Sequence, residues 1–396
     1  MAEPRIVVAN REHLWRLLTE ASQLEHMIAC QYLFAEFSLK DDPRSAGWRK
    51  TLHDIAVEEM LHLALVANLM AAIGAAPTFG RPNFPRVSGY FPDGFRMELR
   101  PFGEQAIARF LQLELPEGMA EPGATGRDSL DPAELMPRGQ DYATIGHLYR
   151  GIEEGLKDLC DTIGERAVFI GVPRAQATPE LFRWPQLVAV TDLKSALSAL
   201  DTIIEQGEGS RGDWRTAHYG RFLRMSREYE DLRARDPGFE PAHPVLPAYL
   251  RQPFDQDEPQ PLITDPAARR VAELATVAYE LVLHTLTRFW THTTETEEQL
   301  GHLAGLAIGL MAAAVRPLAA TLATLPAGPE HPGRTAGFTF EMYYAMSNFV
   351  PWQEPSWALL HERLAVLAQG CERTPEAPPQ VTAAVSAFAD QLRRAS

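Results

Sequence analysis

The amino-acid sequence predicts an all-α fold: a four-helix bundle with a long crossover insertion and additional C-terminal helices. Three observations predict it. Apolar residues recur at a 3.6-residue period over several long stretches. Two such stretches precede, and two follow, a Pro- and Gly-rich connection at about residues 75–140. A third block of helical pattern then fills residues 266–395.

The elements follow in order. Residues 9–40 read as a helix capped by Asn10, with Leu14, Leu17, Leu18, Ala21, Leu24 and Ile28 on one face. "DDPRSAG" breaks it. A second helix runs from about Trp48 to Ile73 and stops at Gly74. The connection "FGRPNFPRVSGYFPDGF" follows, with one alternating run, "FRMELR", and one short amphipathic helix around Glu104–Leu113. A third helix spans roughly Tyr142–Gly164. A fourth begins near Trp184 or Thr191, is disrupted by the glycines of "IIEQGEGSRGD", and resumes from Trp214 to about Arg233. Residues 236–265 are proline-rich and read as a connecting or wrapping arm. Asp265-Pro266 then looks like an N-cap followed by Pro at the first helical position. Pro317 should kink one of the later helices. The expected units are therefore a bundle at 1–235, the arm at 236–265 and a C-terminal helical region at 266–396. One long crossover between helix pairs is the topology of ferritin-like bundles, whereas a simple up-down bundle uses short loops.

Composition narrows the function. The chain has 396 residues, 45% of them apolar, and a formal net charge of −15. An acidic surface disfavours nucleic acid, which needs clustered Lys and Arg, and anionic membrane surfaces. "HLAGLAIGLMAAAVRPLAATLATL" is interrupted by Arg316 and Pro317, so a buried core helix is expected rather than a membrane span. Cys30, Cys160 and Cys371 form no CxxC or CxxCH motif, which suits a reducing compartment and small buried residues. The opening "MAEPRIVVANREH" lacks the basic-then-apolar pattern of a secretory signal. A cytoplasmic location is the expectation.

The chemistry begins at "VEEMLH". Glu59 and His62 are i and i+3, so their side chains leave one helix face. In di-metal carboxylate bundles such Glu-x-x-His pairs meet single Glu residues from neighbouring helices. Glu25 and Glu59 lie 34 positions apart with Asp42, in the turn, at their midpoint. Two antiparallel helices hinged there bring both carboxylates to one level, within about a turn (~5 Å). On the third helix Glu153 is the candidate and Glu154 its competitor. On the fourth, Asp201, Glu205 and Glu208 form an acidic stripe beside Leu197, Leu200 and Ile204. Acidic residues beside an apolar face need protons, partners or metal. No second Glu-x-x-His is present. His218, past the glycines, and Glu208 are alternatives to complete the site. Tyr32 and Tyr149 lie near these positions, with core packing the simpler role. Asp158 and Asp201 are candidates to orient a ligating His. The segment "FGRPNFPRVSGYFP" reads either as a lid, with Arg81 suited to a carboxylate, or as a crossover packed by its own aromatics. His26, His53, His147, His292, His302 and His361 are expected to be solvated or singly hydrogen-bonded, and His284, within the apolar stripe "YELVLHTLTRF", to be buried and satisfied.

The stretches "LEHMIACQYLFAEFSLK", "EEMLHLALVANLMAAIGAAPTFGRPNFP", "YATIGHLYRGIEEGLKDLC", "IIEQGEG" with "AHYGRF", and "RPLAATLATLP" resemble the ferritin-like domain family of iminophenyl-pyruvate dimer synthases. The resemblance covers nearly the whole chain. It implies a ferritin-like bundle in bacterial secondary metabolism and a metal site at Glu25, Glu59, His62, Glu153, Glu205 and His218. Oxygen and imidazole donors favour iron, then manganese. The expectation is a di-iron oxidase or oxygenase with two Fe ions and O2 as co-substrate. Its substrate would be a small molecule such as an amino-acid-derived imine or indole. Neither a nucleic-acid nor a membrane partner is expected, and homo-oligomer formation stays open. The rival readings are an iron-handling protein without catalysis and a metal-free scaffold.

Overall fold

The computed structural model describes residues 6–87, 95–116, 144–207, 214–343 and 351–395. Helix α1 (Arg11–Ser38) starts where the Asn10 side chain accepts from the His13 amide at 3.0 Å. It packs along its length on α2 (Ala46–Ala72). Between them Asp42 accepts from the Arg44 amide, which closes the turn where the sequence placed it.

The remaining two pillars of the bundle are each built in two pieces. A short antiparallel pair, β1 (Arg86–Val87) and β2 (Arg96–Met97), leads into α3 (Glu104–Leu113). α3 enters beside the C-terminal end of α1, where the Phe102 amide donates to Ser38 Oγ, and Phe110 packs edge-on against Tyr32. The upper half of this pillar is α4 (Ile145–Ile163), beside the N-terminal half of α1. The short helices α5 (Glu165–Val168) and α6 (Pro179–Phe182) then lead to α7 (Leu193–Gly207), which descends between α2 and α4. α8 (His218–Arg235) continues downward beside α3, with Tyr229 and Glu228 reaching Trp48 at the start of α2. Thus α3 and α4 ascend and α7 and α8 descend. Both pillars are interrupted at the same height, midway along α1 and α2.

The proline-rich arm crosses the lower end of α1. The Lys40 amide donates to the Pro241 carbonyl and the His243 amide to the Ser38 carbonyl. The strand β3 (Val245–Pro247) pairs in parallel with β4 (Thr335–Gly337), which lies within the C-terminal region. α9 (Pro266–Trp290) begins at Asp265, whose carboxylate accepts from the Ala267 and Ala268 amides, with Pro266 at the first helical position. α10 (Glu297–Leu310) opens with a reciprocal capping box between Thr296 and Gln299. It passes through a π-helical turn, Met311–Val315, into α11 (Arg316–Leu322). That wide turn falls just before Pro317, which has no N–H to continue the ladder. α12 (Gln353–Arg373) and α13 (Pro379–Ala395) pack outside α9 and the π turn.

Two stretches, Ala46–Ala72 and Glu297–Leu322, are long and apolar enough to cross a bilayer by length and composition. Packing accounts for the first, 83% of whose apolar window is buried. The figure for the second is 50%, and part of its remaining surface lines a cavity described below.

Candidate metal centre

Five buried side chains meet where the two split pillars are interrupted. Glu25 comes from α1, and Glu59 and His62 from α2. Glu114 stands one residue past the end of α3, and His218 is the first residue of α8. They form two groups, Glu25–Glu59–His62 and Glu59–Glu114–His218, each with donor atoms within 4.8 Å of one another. Glu59 belongs to both. Its Oε2 lies 3.0 Å from His62 Nδ1, and its Oε1 lies 2.9 Å from His218 Nδ1. Glu25 Oε2 stands 3.5 Å from His62 Nδ1, and Glu114 Oε2 stands 3.5 Å from His218 Nδ1.

The two halves match in their outer partners as well. His62 Nε2 pairs with Gln206 Oε1 at 2.9 Å, and His218 Nε2 with Glu58 Oε2 at 2.8 Å. Arg221 donates to the same Glu58 oxygen. An acceptor at Nε2 holds one ring proton there, so displacing the second proton from the inward Nδ1 frees that nitrogen to bind a metal. That is the arrangement of metal-ligating imidazoles. His218 Nδ1, though close to two carboxylates, makes no aligned hydrogen bond to either. Each outer carboxylate is held by a buried phenol: Tyr149 donates to Glu25 Oε1, and Tyr32 to Glu114 Oε1.

Electrostatics in the cluster are strained. Burial, reinforced by the Glu59 charge, pushes Glu25 up to about 8. Burial alone would raise Glu59 too, but the His218 and His62 charges hold it well below the usual carboxylate range. Burial opposes protonation of His62, yet Glu59 and hydrogen bonds to Glu25 and Glu59 lift it to about 10. His218 is raised well above its ordinary value, with the Glu114 and Glu59 charges overcoming burial. Burial raises Glu114, with His218 opposing. Protons thus supply the positive charge that a buried acidic cluster requires, and a cation would displace them. A cavity of about 20 Å³ bounded by Glu25, Glu59, His62, Glu114 and Tyr149 lies among these groups. A single water needs roughly 10–15 Å³, so the space suits ions and water.

The structure brings together four residues expected from the sequence, Glu25, Glu59, His62 and His218. It adds Glu114, which sequence reasoning missed because α3 was read as part of the crossover rather than as half of a pillar. The signal was present: an acid directly after an amphipathic helix whose Ile107, Phe110 and Leu113 face inward. Glu153 does not join the group. Ile152 takes the inward position, and Glu153 pairs with Lys157 one turn on. Glu154 is exposed. Glu205 is also exposed, as is Asp201, because Leu200, Ile203 and Ile204 form the core face of α7. The described part of the acidic stripe, Asp201 and Glu205, therefore faces solvent. Glu208 lies outside the described residues. Asp158 is exposed, and the groups that orient the imidazoles are Glu58 and Gln206 instead. Tyr32 and Tyr149 are part of the site and not packing alone. The lid reading of residues 79–92 is also corrected for its described part. Phe79 and Phe84 are buried, and Arg81 and Asn83 bond to the backbone of Phe340 and Met342, away from the cluster.

A family model described as Ferritin-like matches residues 18–227. The chain is 26% identical to dichlorochromopyrrolate synthase of Lentzea aerocolonigenes, over 97% of this chain and 41% of that protein. It is 27% identical to 2-imino-3-(indol-3-yl)propanoate dimerase of Chromobacterium violaceum, over 83% of this chain and 34% of that protein. The chain thus spans about two-fifths or less of the length of these relatives. A crystal structure of a ferritin-like protein from Caulobacter vibrioides superposes with a TM-score of 0.51 at 20% identity, over 77% of this chain and 96% of that one.

Proposed function

Since the chain belongs to the Ferritin-like family, whose model matches 18–227, we propose that it is a metal-dependent enzyme holding two metal ions. Glu25 and His62 would bind one, Glu114 and His218 the other, with Glu59 shared. The observation that carries this reading is the matched pair of imidazoles. Each turns Nδ1 to the shared Glu59 and Nε2 to an outer partner. Donors of oxygen and imidazole without thiolate suit iron first and manganese second.

Bound iron would supply O2 reduction, the redox chemistry that none of these side chains has by itself. The chain's own residues have defined tasks beside it. Gln206 and Glu58 fix the imidazole tautomers. The Tyr149 and Tyr32 hydroxyls hold the outer carboxylates in place and have protons at those oxygens. Leu113, Ile145, Ile203 and Ile204 line the small cavity and keep bulk water from it. The proposed reaction is oxidation of a small organic substrate. The names of the two relatives, both enzymes, direct the search to indole-bearing, amino-acid-derived imines and acids.

The test is metal content per chain on protein loaded anaerobically with Fe(II), then O2 uptake with 2-imino-3-(indol-3-yl)propanoate generated in place. About two irons per chain, and substrate-dependent O2 consumption lost in Glu59→Ala and His62→Ala, are expected. Absence of tight metal uptake would leave a bundle that keeps the fold alone. Metal uptake without O2 consumption would favour iron handling.

A further inference from the structure

A second cavity lies on the other side of the α1–α2 pair, enclosed against α9, α10 and the π turn. Its volume is about 260 Å³. Engineered cavities of about 150 Å³ already hold benzene, so this one takes a larger guest. It is elongated. The α1 residues that line it run from His26 to Phe37, a rise of roughly 16 Å. An extended chain fits that shape better than a fused ring system. The wall is largely apolar: aliphatic side chains, Leu33, Ala64, Val282 and Ile308 among them, alternate with aromatic ones such as Phe79 and Trp290.

The two ends differ. Around Val57, Met60, Met311 and Ala312 the lining is half-buried or exposed, so the cavity opens there. Arg316 near this opening is already neutralised by Glu36. At the other end His26, Cys30, Tyr279 and Phe340 are all buried. Tyr279 hydroxyl pairs with His26 Nε2. Behind it stands Arg81, 7% exposed. The Arg81 hydrogen bonds go to the carbonyls of Pro82 and Phe340 and to the Tyr279 hydroxyl, and it meets no carboxylate among the described residues. A buried guanidinium without a counter-charge is costly. Among the described residues no Asp or Glu lines the cavity, although the chain carries 52 of them.

We propose that this cavity binds a medium-chain acyl carboxylate head inward, with the carboxylate on Tyr279 and His26 in front of Arg81. The Tyr279–His26 hydrogen bond is exchanged for bonds to the acid, and Arg81 supplies the missing opposite charge. The site shares no residue with the Glu25–Glu59–Glu114 cluster, so it stands apart from the metal reading.

The experiment is calorimetric titration of the full chain, treated with EDTA, with octanoate, 1-octanol and octylammonium. The tails are equal and only the head changes. Octanoate should bind one per chain, about tenfold or more tighter than octanol, because a hydrogen bond to a charged head is the stronger kind. Octylammonium should bind more weakly still. Ala312→Trp, at the exposed opening, should block octanoate without disturbing the fold. Tyr279→Phe should reduce the preference for acid over alcohol. Equal affinity for the three heads would overturn the proposal, as would binding unaffected by Ala312→Trp or no saturable binding at all. Metal content measured on the same batches before chelation reports the other site separately.

Discussion

Replacing Glu114 with Gln separates the two proposed metal positions. Glu114 belongs only to the group with Glu59 and His218, while Glu25 and His62 belong to the other. The amide keeps the size of the side chain and still offers Tyr32 an acceptor, but it removes one of the two negative charges in that group. Loss of an outer partner alone typically costs about 10–100-fold in metal affinity. Loss of a charged donor should reach at least the upper figure, or about 2.7 kcal/mol. Metal at about 100 times Kd stabilises the fold by about 2.7 kcal/mol per site. Two sites give about 5 kcal/mol, which for a chain of this size is roughly a 6 °C rise in Tm. Glu114→Gln should bind one metal and show about half that rise. Glu153→Gln is the control, because Glu153 pairs with Lys157 outside the cluster. It should retain two metals and the full rise. The assay is metal per chain after gel filtration, beside melting curves at increasing Mn(II) under argon. Two tightly held metals in Glu114→Gln, or one in Glu153→Gln, would refute the reasoning.

Three further outcomes are expected. Glu58→Gln and Gln206→Leu should weaken metal binding about 10–100-fold while leaving the stoichiometry unchanged, read by competition with a chelating dye. Arg288 and Glu295, both fully buried, form a bidentate pair at 2.6 and 2.8 Å that also holds Trp357, so Glu295→Ala should cost about 3–5 kcal/mol in urea unfolding. A loss under about 1 kcal/mol would show that the pair relaxes to solvent. Burial pushes Glu341 up to about 7, against amide bonds from Leu250 and Arg251 that pull it down. Its protonated form is therefore favoured in the folded state. The stability it contributes is complete below about pH 4.5 and is lost as pH rises towards 7, by up to about 3 kcal/mol. The stability difference between the parent and Glu341→Gln should fall across that window, and a flat difference would exclude the shift.

Much of the bundle was legible because its signals are local. Asn10, Asp265-Pro266 and the Asp42 turn are short-range devices, and they cap and close helices as their side-chain chemistry requires. The Glu59–His62 pair needed only the helical repeat. Glu25 needed only that repeat and one turn, since two helices hinged at a known point are level by arithmetic. His218 was already less certain, because the chain between Gly207 and α8 has no periodicity to carry a register across.

The misassigned ligands show where local rules stop. Each residue along a helix turns the side chain by about 100°, so an error of one position exchanges an inward site for solvent. On α4 the side chain that reaches Glu25 is Tyr149, while Glu153, one turn later, lies beyond the cluster. On α7 the inward polar residue is Gln206, and its neighbour Glu205 is exposed. Rotation about the helix axis is set by which apolar residues the other pillars cover, and that is a property of the assembled core.

The sequence by itself determined the helices, their order, the long crossover and the three-residue spacing that puts a carboxylate beside an imidazole. Only the tertiary structure decided that two pillars are each split at one height. The split leaves four helix ends there, and at two of them the chain leaving α3 and entering α8 presents Glu114 and His218 to Glu59. No intrahelical periodicity encodes a meeting of helix ends, because the contact is made by residues far apart in the chain and packed together only once the core has formed.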